Sequence, residues 1–482
     1  MSESEQRSRF ESQDDVVVMK FGGTSVEDSA AIERLIAIVR SRMNLQPVLV
    51  VSALAKVTDQ LLEAGRAAAN GKPGGALALA RDIFVRHEYV ADELFFGSHR
   101  GVLDRELRSE VEQLELTLVD LDRSREFDAR AQDYLLGFGE SLSSRLVTAA
   151  LCEAGLAGVH VNARECIVTD ARHGQASPLW DKTNQRLQEK LLPLLDRKQI
   201  PVLGGFVAAS SDGLPTTLGR GGSDFTATIV GAALGSVRVE IWTDVDGVMT
   251  ADPKLCPDAR VICKMSFEEA AELAQLGAKV LHPGTLVPAM RENIPVHVLN
   301  SRHPEVSGTE ITARSRSGNA VTAITTRRQV ASVEIEPMRT IDSELLGTLF
   351  SVFDAHACPV HLLGTSLGRI SLIVASSTAL PKIADELESA AEVRWENHKA
   401  LVCLVGENVR RQPEMASRAC AAVADLDVRV ACQGASDRIL SFLVEESKAE
   451  ESVRRLHAKF FLAQREPVRD WGGTTTAFCQ AG

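Results

Sequence analysis

Between residue 16 and about residue 300, the sequence alternates short apolar runs with longer segments of helical periodicity. Such alternation is typical of βα units, whose strands are buried on both faces of a mainly parallel sheet. The pattern predicts strands over 16–19, 48–52, 159–161, 201–204, 237–242 and 295–299. It predicts helices over 30–42, 58–69, 106–121, 139–154, 226–234 and 266–276. This region is therefore predicted to form an α/β domain with helical layers on both faces of its sheet.

Residues 303–320 interrupt the alternation, because they are rich in Ser, Gly, Thr and Arg and show no periodicity. They predict a linker. Two shorter units of ~70 residues follow, each with the order strand, helix, strand, strand, helix, which predicts two ferredoxin-like α+β modules. We predict a domain over 15–305, modules over 325–397 and 398–464, and loose tails over 1–14 and 465–482.

Composition excludes several classes of protein. The chain has 482 residues, with 53 basic and 65 acidic side chains and a net charge of −12. This charge argues against nucleic acid as the main partner. The nine cysteines include no C-x-x-C pair, which argues against a disulfide framework or a zinc knuckle and favours reduced thiols in the cytoplasm. No apolar run approaches the ~18 residues needed to span a bilayer, and no secretory signal precedes the first strand.

The first candidate binding segment is K-F-G-G-T-S at 20–25, between the first predicted strand and a helix. Two glycines allow backbone N–H groups to approach an anion, and a lysine supplies positive potential, so the segment is a candidate phosphate cradle. A simple turn between a strand and a helix explains the two glycines equally well.

The second segment is T-L-G-R-G-G-S-D at 217–224, which opens a predicted helix. Its glycines, hydroxyl groups, arginine and carboxylate combine the features of an anion-binding helix start with a bidentate clamp for a carboxylate or phosphate. The alternative interpretation makes Asp224 a helix cap and places Arg220 in a surface ion pair.

The third segment is W-T-D-V-D-G at 242–247, at the carboxyl end of a predicted strand, where ligands bind in open α/β sheets. It lacks the ligand order and terminal glutamate of a calcium loop. Among isolated residues, Glu140 can bind a substrate ammonium or simply favour the dipole at a helix start. Thr58 resembles a helix cap, and Lys279 is a candidate phosphate ligand.

Together these segments resemble the aspartokinases of the amino acid kinase family. The shared motifs are K-F-G-G-T-S at 20–25, V-S-A-x-x-x-V-T at 51–58, G-E at 139–140, T-L-G-R-G-G-S-D at 217–224, W-T-D-V-D-G at 242–247 and G-A-K-V-L-H-P at 277–283. They occur in the family's order and approximate spacing, and the resemblance covers nearly the whole chain. It is greatest to the monofunctional, lysine-sensitive type. The implied fold is a three-layer αβα sandwich with a mainly parallel sheet, followed by two ACT modules.

The implied reaction is transfer of a phosphoryl group from ATP to the β-carboxylate of L-aspartate, which gives 4-phospho-L-aspartate and ADP. It is the first step toward lysine, threonine and methionine. The resemblance also implies Mg²⁺, lysine or threonine as an effector at the ACT modules, and a homodimer or a dimer of dimers. It implies no protein cluster dedicated to a metal.

Residue roles follow from the same resemblance. It implies catalytic roles for Lys20 and Asp224. It implies aspartate contacts from Ser52, Thr58, Glu140, Arg220 and Ser223. It implies nucleotide contacts from Lys20, Gly22, Gly23, Thr243, Asp244, Met249, Lys254 and Lys279.

The sequence also departs from the family pattern. Met249 stands where a tyrosine is common and Lys254 where an arginine is usual, so weaker ATP binding is expected. In the first ACT module, the loop 338–346 with Asp342 is longer, and His361 replaces an aspartate that pairs the lysine ammonium. We therefore expect weak or altered lysine feedback. Two alternatives remain: a catalytically silent amino-acid sensor, and a related kinase acting on glutamate, acetylglutamate or a nucleotide.

Overall fold

The computed structural model describes residues 15–462 except 96, 98, 278–280, 315–319, 367, 408, 410–411, 429 and 433–435. Both predicted tails, 1–14 and 465–482, lie outside the described residues. The elements up to residue 312 are, in order, β1 (Val16–Phe21), α1 (Ser29–Arg40), β2 (Gln46–Val51), α2 (Val57–Ala69), α3 (Pro73–Leu94), α4 (His99–Ser124), α5 (Ala129–Glu153), β3 (Gly158–Val161), α6 (Ala163–Cys166), β4 (Val168–Thr169), α7 (Trp180–Asp196), β5 (Ile200–Gly204), β6 (Val207–Ser210), β7 (Pro215–Thr217), α8 (Gly222–Leu234), β8 (Arg238–Thr243), β9 (Lys264–Ser266), α9 (Phe267–Gln275), α10 (Val287–Arg291), β10 (Val296–Asn300) and β11 (Thr309–Thr312).

The central sheet has eight strands in the order β3-β5-β2-β1-β8-β10-β11-β9. Only the β10–β11 pair is antiparallel. A second sheet of three strands, β4-β6-β7, lies beside it. The predicted α/β fold with a mainly parallel sheet is therefore confirmed.

Alternation along β1 explains the helical layers on both faces. Val17, Met19 and Phe21 pack in one apolar core with helices α1 to α5. Val16 and Val18 pack in a second core with α7, α8 and α9. Because successive side chains of a strand point to opposite faces, Lys20 projects on the α8 side of the sheet.

Several details of this domain differ from the sequence prediction, among them the short strands β4, β6, β7 and β9, which were not predicted. Helices α3 and α7 were not predicted, and α4 and α5 are longer than predicted. In α4, a narrow stripe that includes Leu103, Leu107 and Leu114 is buried within a mostly polar helix, so the apolar period is weak. The predicted linker at 303–320 was wrong in part, because Thr309–Thr312 forms β11 and pairs with β10.

Next comes the region predicted to contain the two ACT modules, which we call the regulatory region. Its elements are β12 (Ala323–Pro337), α11 (Ser343–Ala355), β13 (Val360–Ser366), β14 (Arg369–Ala375), α12 (Leu380–Leu387), β15 (Ala391–Val405), α13 (Pro413–Val423), β16 (Val430–Cys432), β17 (Ile439–Glu445) and α14 (Ala449–His457). The six strands form one antiparallel sheet in the order β13-β14-β12-β15-β17-β16.

The two long strands β12 and β15 run through both parts of this sheet. They pair from Ala323 opposite Val405 to Pro337 opposite Ala391. Residues 331–337 of β12 and 391–396 of β15 are the distal halves of these strands, and they contribute to a core with α11 and α12. The remaining, proximal halves contribute to a core with α13 and α14. The predicted boundary between residues 397 and 398 stays a prediction, but β15 crosses it without interruption.

Candidate active site

The end of β1 and the start of α8 bring together two glycine-containing segments that are distant in sequence. Lys20 Nζ lies 2.7 Å from Asp224 Oδ1, and the two side chains are only 11% and 13% exposed. Asp224 is not a helix cap, because the N-cap of α8 is Gly221 and no side chain caps it. The alternative interpretation of Asp224 was therefore wrong, and the structure places a buried charge pair at this edge of the sheet.

Gly22 and Gly23 let three strand ends approach closely. The Gly22 N–H donates to the Trp242 carbonyl at 3.0 Å. A Cβ at Gly23 would lie only 2.9 Å from the Ala53 carbonyl oxygen. A Cβ at Gly22 would lie 3.5 Å from Lys20 Nζ, so the Gly22 backbone lies beside the lysine ammonium, and the phosphate cradle stays a prediction.

The loop before α8 requires glycine for its conformation. Gly219 and Gly221 have φ angles of +75° and +74°, a region that residues with a Cβ rarely adopt. Arg220 between them is exposed. Ser223 packs on Gly205, where a Cβ would lie 2.7 Å from the Ser223 hydroxyl oxygen.

Asp133 of α5 anchors the strand that enters this loop. Its buried carboxylate accepts from the Thr217 hydroxyl at 2.5 Å and from the Gly174 N–H at 3.0 Å. His173 Nδ1 lies 2.8 Å from Oδ2, the oxygen that also accepts from Gly174, whereas Thr217 donates to Oδ1. The sequence analysis missed this anchor, although Asp133 lies seven residues, or about two helical turns, before Glu140 and therefore on the same helical face.

Glu140 is buried in the middle of α5, with 4% of its surface exposed. The predicted helix start at 139 was wrong, so the helix-dipole interpretation of this carboxylate no longer applies. Burial raises the pKa of Glu140 to about 7, while a hydrogen bond from the Ala53 backbone and the charge of Arg164 lower it. A cationic group bound here would favour the ionised carboxylate.

Ser52 and Thr58 lie at the end of β2 and the start of α2, and both are half-buried. The Ser52 N–H donates to the Phe21 carbonyl at 3.0 Å, which ties β2 to β1. Thr58 is not the cap of α2, as its sequence position suggested, because the N-cap is Lys56, with a φ of 71°. The Thr58 hydroxyl is therefore not used as a cap.

On the other side of Gly22, the segment after β8 is held by residues that follow β10. The Thr243 carbonyl accepts from the Ser301 N–H at 2.8 Å, and Asn300 Nδ2 donates to Asp246 at 2.6 Å. Asp244 is exposed. Sequence reasoning missed Asn300 and Ser301, but their place after a predicted parallel strand was a usable signal.

Of the remaining predicted nucleotide ligands, Met249 is half-buried and forms an isolated antiparallel β-bridge with Val261. Lys254 is exposed. Lys279 lies outside the described residues.

The segment that carries Met249 and Lys254 packs on the regulatory sheet. The Thr250 hydroxyl oxygen lies 3.0 Å from His457 Nε2 of α14. The Thr250 carbonyl accepts from the Ile324 N–H at 2.8 Å. Arg454 donates to the Leu255 carbonyl at 3.0 Å. The predicted nucleotide segment is thus bonded directly to the second regulatory module.

Within the described part of the chain, no group of three or more His, Cys, Asp or Glu side chains is arranged to hold a metal ion. No described helix is long and apolar enough to cross a membrane.

Comparison with known proteins agrees with this architecture. Residues 15–300 match the model of the amino acid kinase family, and residues 402–460 match an ACT domain model. The chain is 32% identical over 459 residues to lysine-sensitive aspartokinase 3 of Escherichia coli, covering 93% of this chain and 99% of that protein. The chain belongs to the aspartokinases, within the amino acid kinase family. The chloroplastic aspartokinase 3 of Arabidopsis thaliana is 34% identical over 466 residues, which cover 92% of this chain and 81% of the relative.

Solved aspartokinase structures superpose on the full architecture. Aspartokinase III of E. coli in complex with aspartate and ADP, in its R-state, matches with a TM-score of 0.81 and 31% identity, covering 93% of this chain and 100% of that one. The same enzyme in complex with lysine and aspartate, in its T-state, matches with a TM-score of 0.78 and 31% identity, covering 92% and 99%. The predicted family, fold class and ACT-type region are confirmed.

Proposed function

We propose that this aspartokinase transfers the γ-phosphoryl group of ATP to the β-carboxylate of L-aspartate under the control of its ACT region. The observation that carries the proposal is the buried Lys20–Asp224 pair at the sheet edge, beside Gly22, where a Cβ would lie 3.5 Å from Lys20 Nζ. Phosphoryl transfer depends mainly on positioning and on neutralising charge, and this geometry supplies a fixed cation beside a candidate phosphate site.

In this mechanism, a β-carboxylate oxygen of aspartate attacks the γ-phosphorus, and the bond to the oxygen bridging the β- and γ-phosphates breaks as ADP leaves. Lys20 neutralises the transferring group, and Asp224 holds the lysine ammonium in place. An in-line approach requires the acceptor to be fixed at both of its other charged groups.

We assign the acceptor contacts as the family resemblance implies. Arg220 binds the α-carboxylate in the bidentate manner that guanidinium favours. Glu140 binds the substrate ammonium, which explains why a carboxylate is retained in a buried position. Ser52, Thr58 and Ser223 donate further hydrogen bonds to aspartate.

For the nucleotide, we assign the phosphates to Lys20, Gly22, Gly23 and Lys279, and the base and ribose side to Thr243, Asp244, Met249 and Lys254. Mg²⁺ typically binds through one or two carboxylates together with substrate phosphates and water. The described residues fit that mode, since no group of three or more His, Cys, Asp or Glu among them is arranged as a closed metal site. Mg²⁺ would neutralise phosphate charge, and we assign no residue of the chain to it.

The wider setting of the reaction is part of the same proposal. The product feeds the synthesis of lysine, threonine and methionine in the cytoplasm. The ACT region binds an amino-acid effector, lysine or threonine, and a homodimer or a dimer of dimers is the functional assembly.

An ADP-release assay with the full-length protein, ATP and Mg²⁺ tests the proposal. Aspartate, glutamate and acetylglutamate are compared as acceptors, each with and without lysine or threonine. Release that depends on aspartate, with formation of an acyl phosphate trapped as its hydroxamate, is the expected result. No release with any acceptor, together with lysine or threonine binding by calorimetry, identifies the silent sensor instead.

A further inference from the structure

A cavity of about 100 Å³ lies behind Glu140, between α5 and the ends of β3 and β5. Its lining includes Gly137, Arg164 and Gly204. Two of these residues are glycines next to a buried charge. A Cβ at Gly204 would lie 3.0 Å from the Cβ of Glu140, and a Cβ at Gly137 would lie 2.0 Å from Arg164 Nη2.

Gly137 therefore opens a slot for the Arg164 guanidinium. Gly137 and Glu140 are three residues apart on α5, so they share one helical face. Arg164 enters this slot from the segment after β3, and its guanidinium carbon lies 5.7 Å from the Tyr134 ring centre. Its bond to the Tyr134 carbonyl is long, at 3.4 Å. Among the described residues, neither Arg164 Nε nor Glu140 Oε2 has a hydrogen-bond partner, and both atoms are buried.

We propose that Arg164 is a positioning residue for the aspartate pocket: lodged in the Gly137 slot, its guanidinium stabilises the negative charge of the buried Glu140 carboxylate that receives the substrate ammonium. The inference deepens the proposed function and rests on its assignment of Glu140. Arg164 does not touch the substrate in this account and acts only through Glu140.

The surrounding charges leave Arg164 as the main side-chain charge acting on Glu140. Arg164 is the charged side chain that lowers the pKa of Glu140. Burial lowers the pKa of Arg164 itself, while Tyr134, Glu110, Glu140 and Asp133 raise it, and a guanidinium in a protein stays protonated.

The other charged groups that line the cavity are Glu110, Arg145 and His160. Arg145 pairs with Glu110 at 3.0 Å. Burial, aided by Arg145, lowers the pKa of His160 to about 4, so His160 is neutral throughout a neutral assay range.

Glu140 binds a cation only when ionised, so kcat/KM for aspartate rises with pH through the Glu140 pKa. Loss of the Arg164 charge raises that pKa further, because it removes an opposite charge. A nearby opposite charge favours the ionised carboxyl, so Arg164→Met should move the rising limb of the pH profile to higher pH and lower kcat/KM near pH 7 by about a few-fold.

The experiment compares pH profiles of kcat and kcat/KM for aspartate in the full-length protein. Arg164→Met should shift the limb upward, mainly through KM, and Arg164→Lys should restore it toward the wild-type position. Arg145→Met removes a positive charge from the same cavity and should leave the limb in place. An unshifted limb in Arg164→Met, or an equal shift in Arg145→Met, overturns the proposal.

A second variant keeps the test decisive if Arg164→Met fails to fold. Gly137→Ala places a methyl group where Arg164 Nη2 lies, so the guanidinium must move and the limb should shift in the same direction. In an Arg164→Lys background, whose side chain is smaller at that point, the same substitution should have less effect. An equal shift of the limb by Gly137→Ala in both backgrounds would show that Gly137 does not make room for the Arg164 guanidinium.

A direct titration separates this inference from the proposed function. Glutamate labelled with ¹³C at the carboxyl carbon reports the Glu140 pKa by NMR, with Glu140→Gln identifying the signal. A higher Glu140 pKa in Arg164→Met supports the inference even if aspartate is not the acceptor. Activity on aspartate with an unchanged Glu140 pKa removes the inference and leaves the proposed function standing.

Discussion

The catalytic domain and the distal half of the regulatory sheet expose their strands to opposite degrees. All six residues of β1 are buried. In contrast, the distal half of β15 alternates between exposed and partly buried positions, as at Glu392, Arg394 and Glu396. A sheet covered on both faces fixes polar groups at its strand ends, whereas a sheet covered on one face offers a surface for a partner or an effector. Substitutions at the catalytic sheet edge should therefore be costly, and those in the distal module should be mild.

The largest expected effect is at Lys20. Lys20→Met removes the buried cation beside the transferred phosphoryl group, and removal of one such electrostatic group typically lowers kcat by ~10²–10³. Steady-state ADP release with saturating aspartate measures it, and far-UV circular dichroism checks the fold. Lys190→Met, at a surface lysine paired with Glu165, should retain normal kcat. A normal kcat in Lys20→Met would show that the catalytic assignment is wrong.

Asp133 tests whether the glycine-rich loop depends on its anchor. Asp133→Asn weakens the bonds to Thr217 and Gly174 and removes the charge opposite His173. Hydrogen bonds to a charged group contribute about 1.5–3 kcal/mol each, so kcat/KM for aspartate should fall at least about tenfold. Asp128→Asn on the same helix replaces one N-cap residue by another and should have little effect. Equal kinetics in the two variants would exclude an anchoring role.

Thr250 of the catalytic domain and His457 of the regulatory region are hydrogen-bonded to each other, so variants at these residues test how strongly the two regions are coupled. Burial lowers the pKa of His457, which keeps the ring neutral at neutral pH. Thr250→Val removes the hydrogen bond to His457 and the acceptor for the Arg260 N–H, worth about 0.5–1.5 kcal/mol each, and should raise KM for ATP by a few-fold with KM for aspartate nearly unchanged. His457→Leu should act similarly, and the double variant should show less than the sum. Full additivity would mean that the two side chains act independently.

The smallest expected effect is inhibition by lysine. Burial, aided by Arg327, lowers the pKa of His361, so the ring is neutral and offers no negative charge to an ammonium. The Asp342 carboxylate caps α11 by accepting from the Leu345 N–H at 2.8 Å. Sub-millimolar lysine should therefore inhibit weakly, while His361→Asp should increase inhibition and His356→Asp in the same module should not. Strong inhibition of the unmodified protein would contradict this expectation.

The fold and the central pair could be predicted because their signals are local. β1 is an apolar run interrupted only by Lys20, and Lys20 and Asp224 belong to glycine-containing segments whose joint role the family resemblance implied. Asp133 and Arg164 were not predicted, since neither lies in a recognisable segment. Only the seven-residue spacing of Asp133 from Glu140 pointed to its place on the same helical face. β11 was missed because four residues with one strongly apolar side chain give no period, and only pairing with β10 makes them a strand.

The long strands of the regulatory sheet have a mechanical consequence. Ala323 to Arg327 precede the distal module in sequence, yet they pair with Leu401 to Val405, which follow it. The distal module is thus inserted in the chain between two strand segments, 323–327 and 401–405, that pair with each other. A torque applied at its far end would travel along these two strands, past the register shifts between Arg327 and Ser332, and would arrive beside the Thr322 hydroxyl, which donates to Glu269 of the catalytic domain at 2.5 Å.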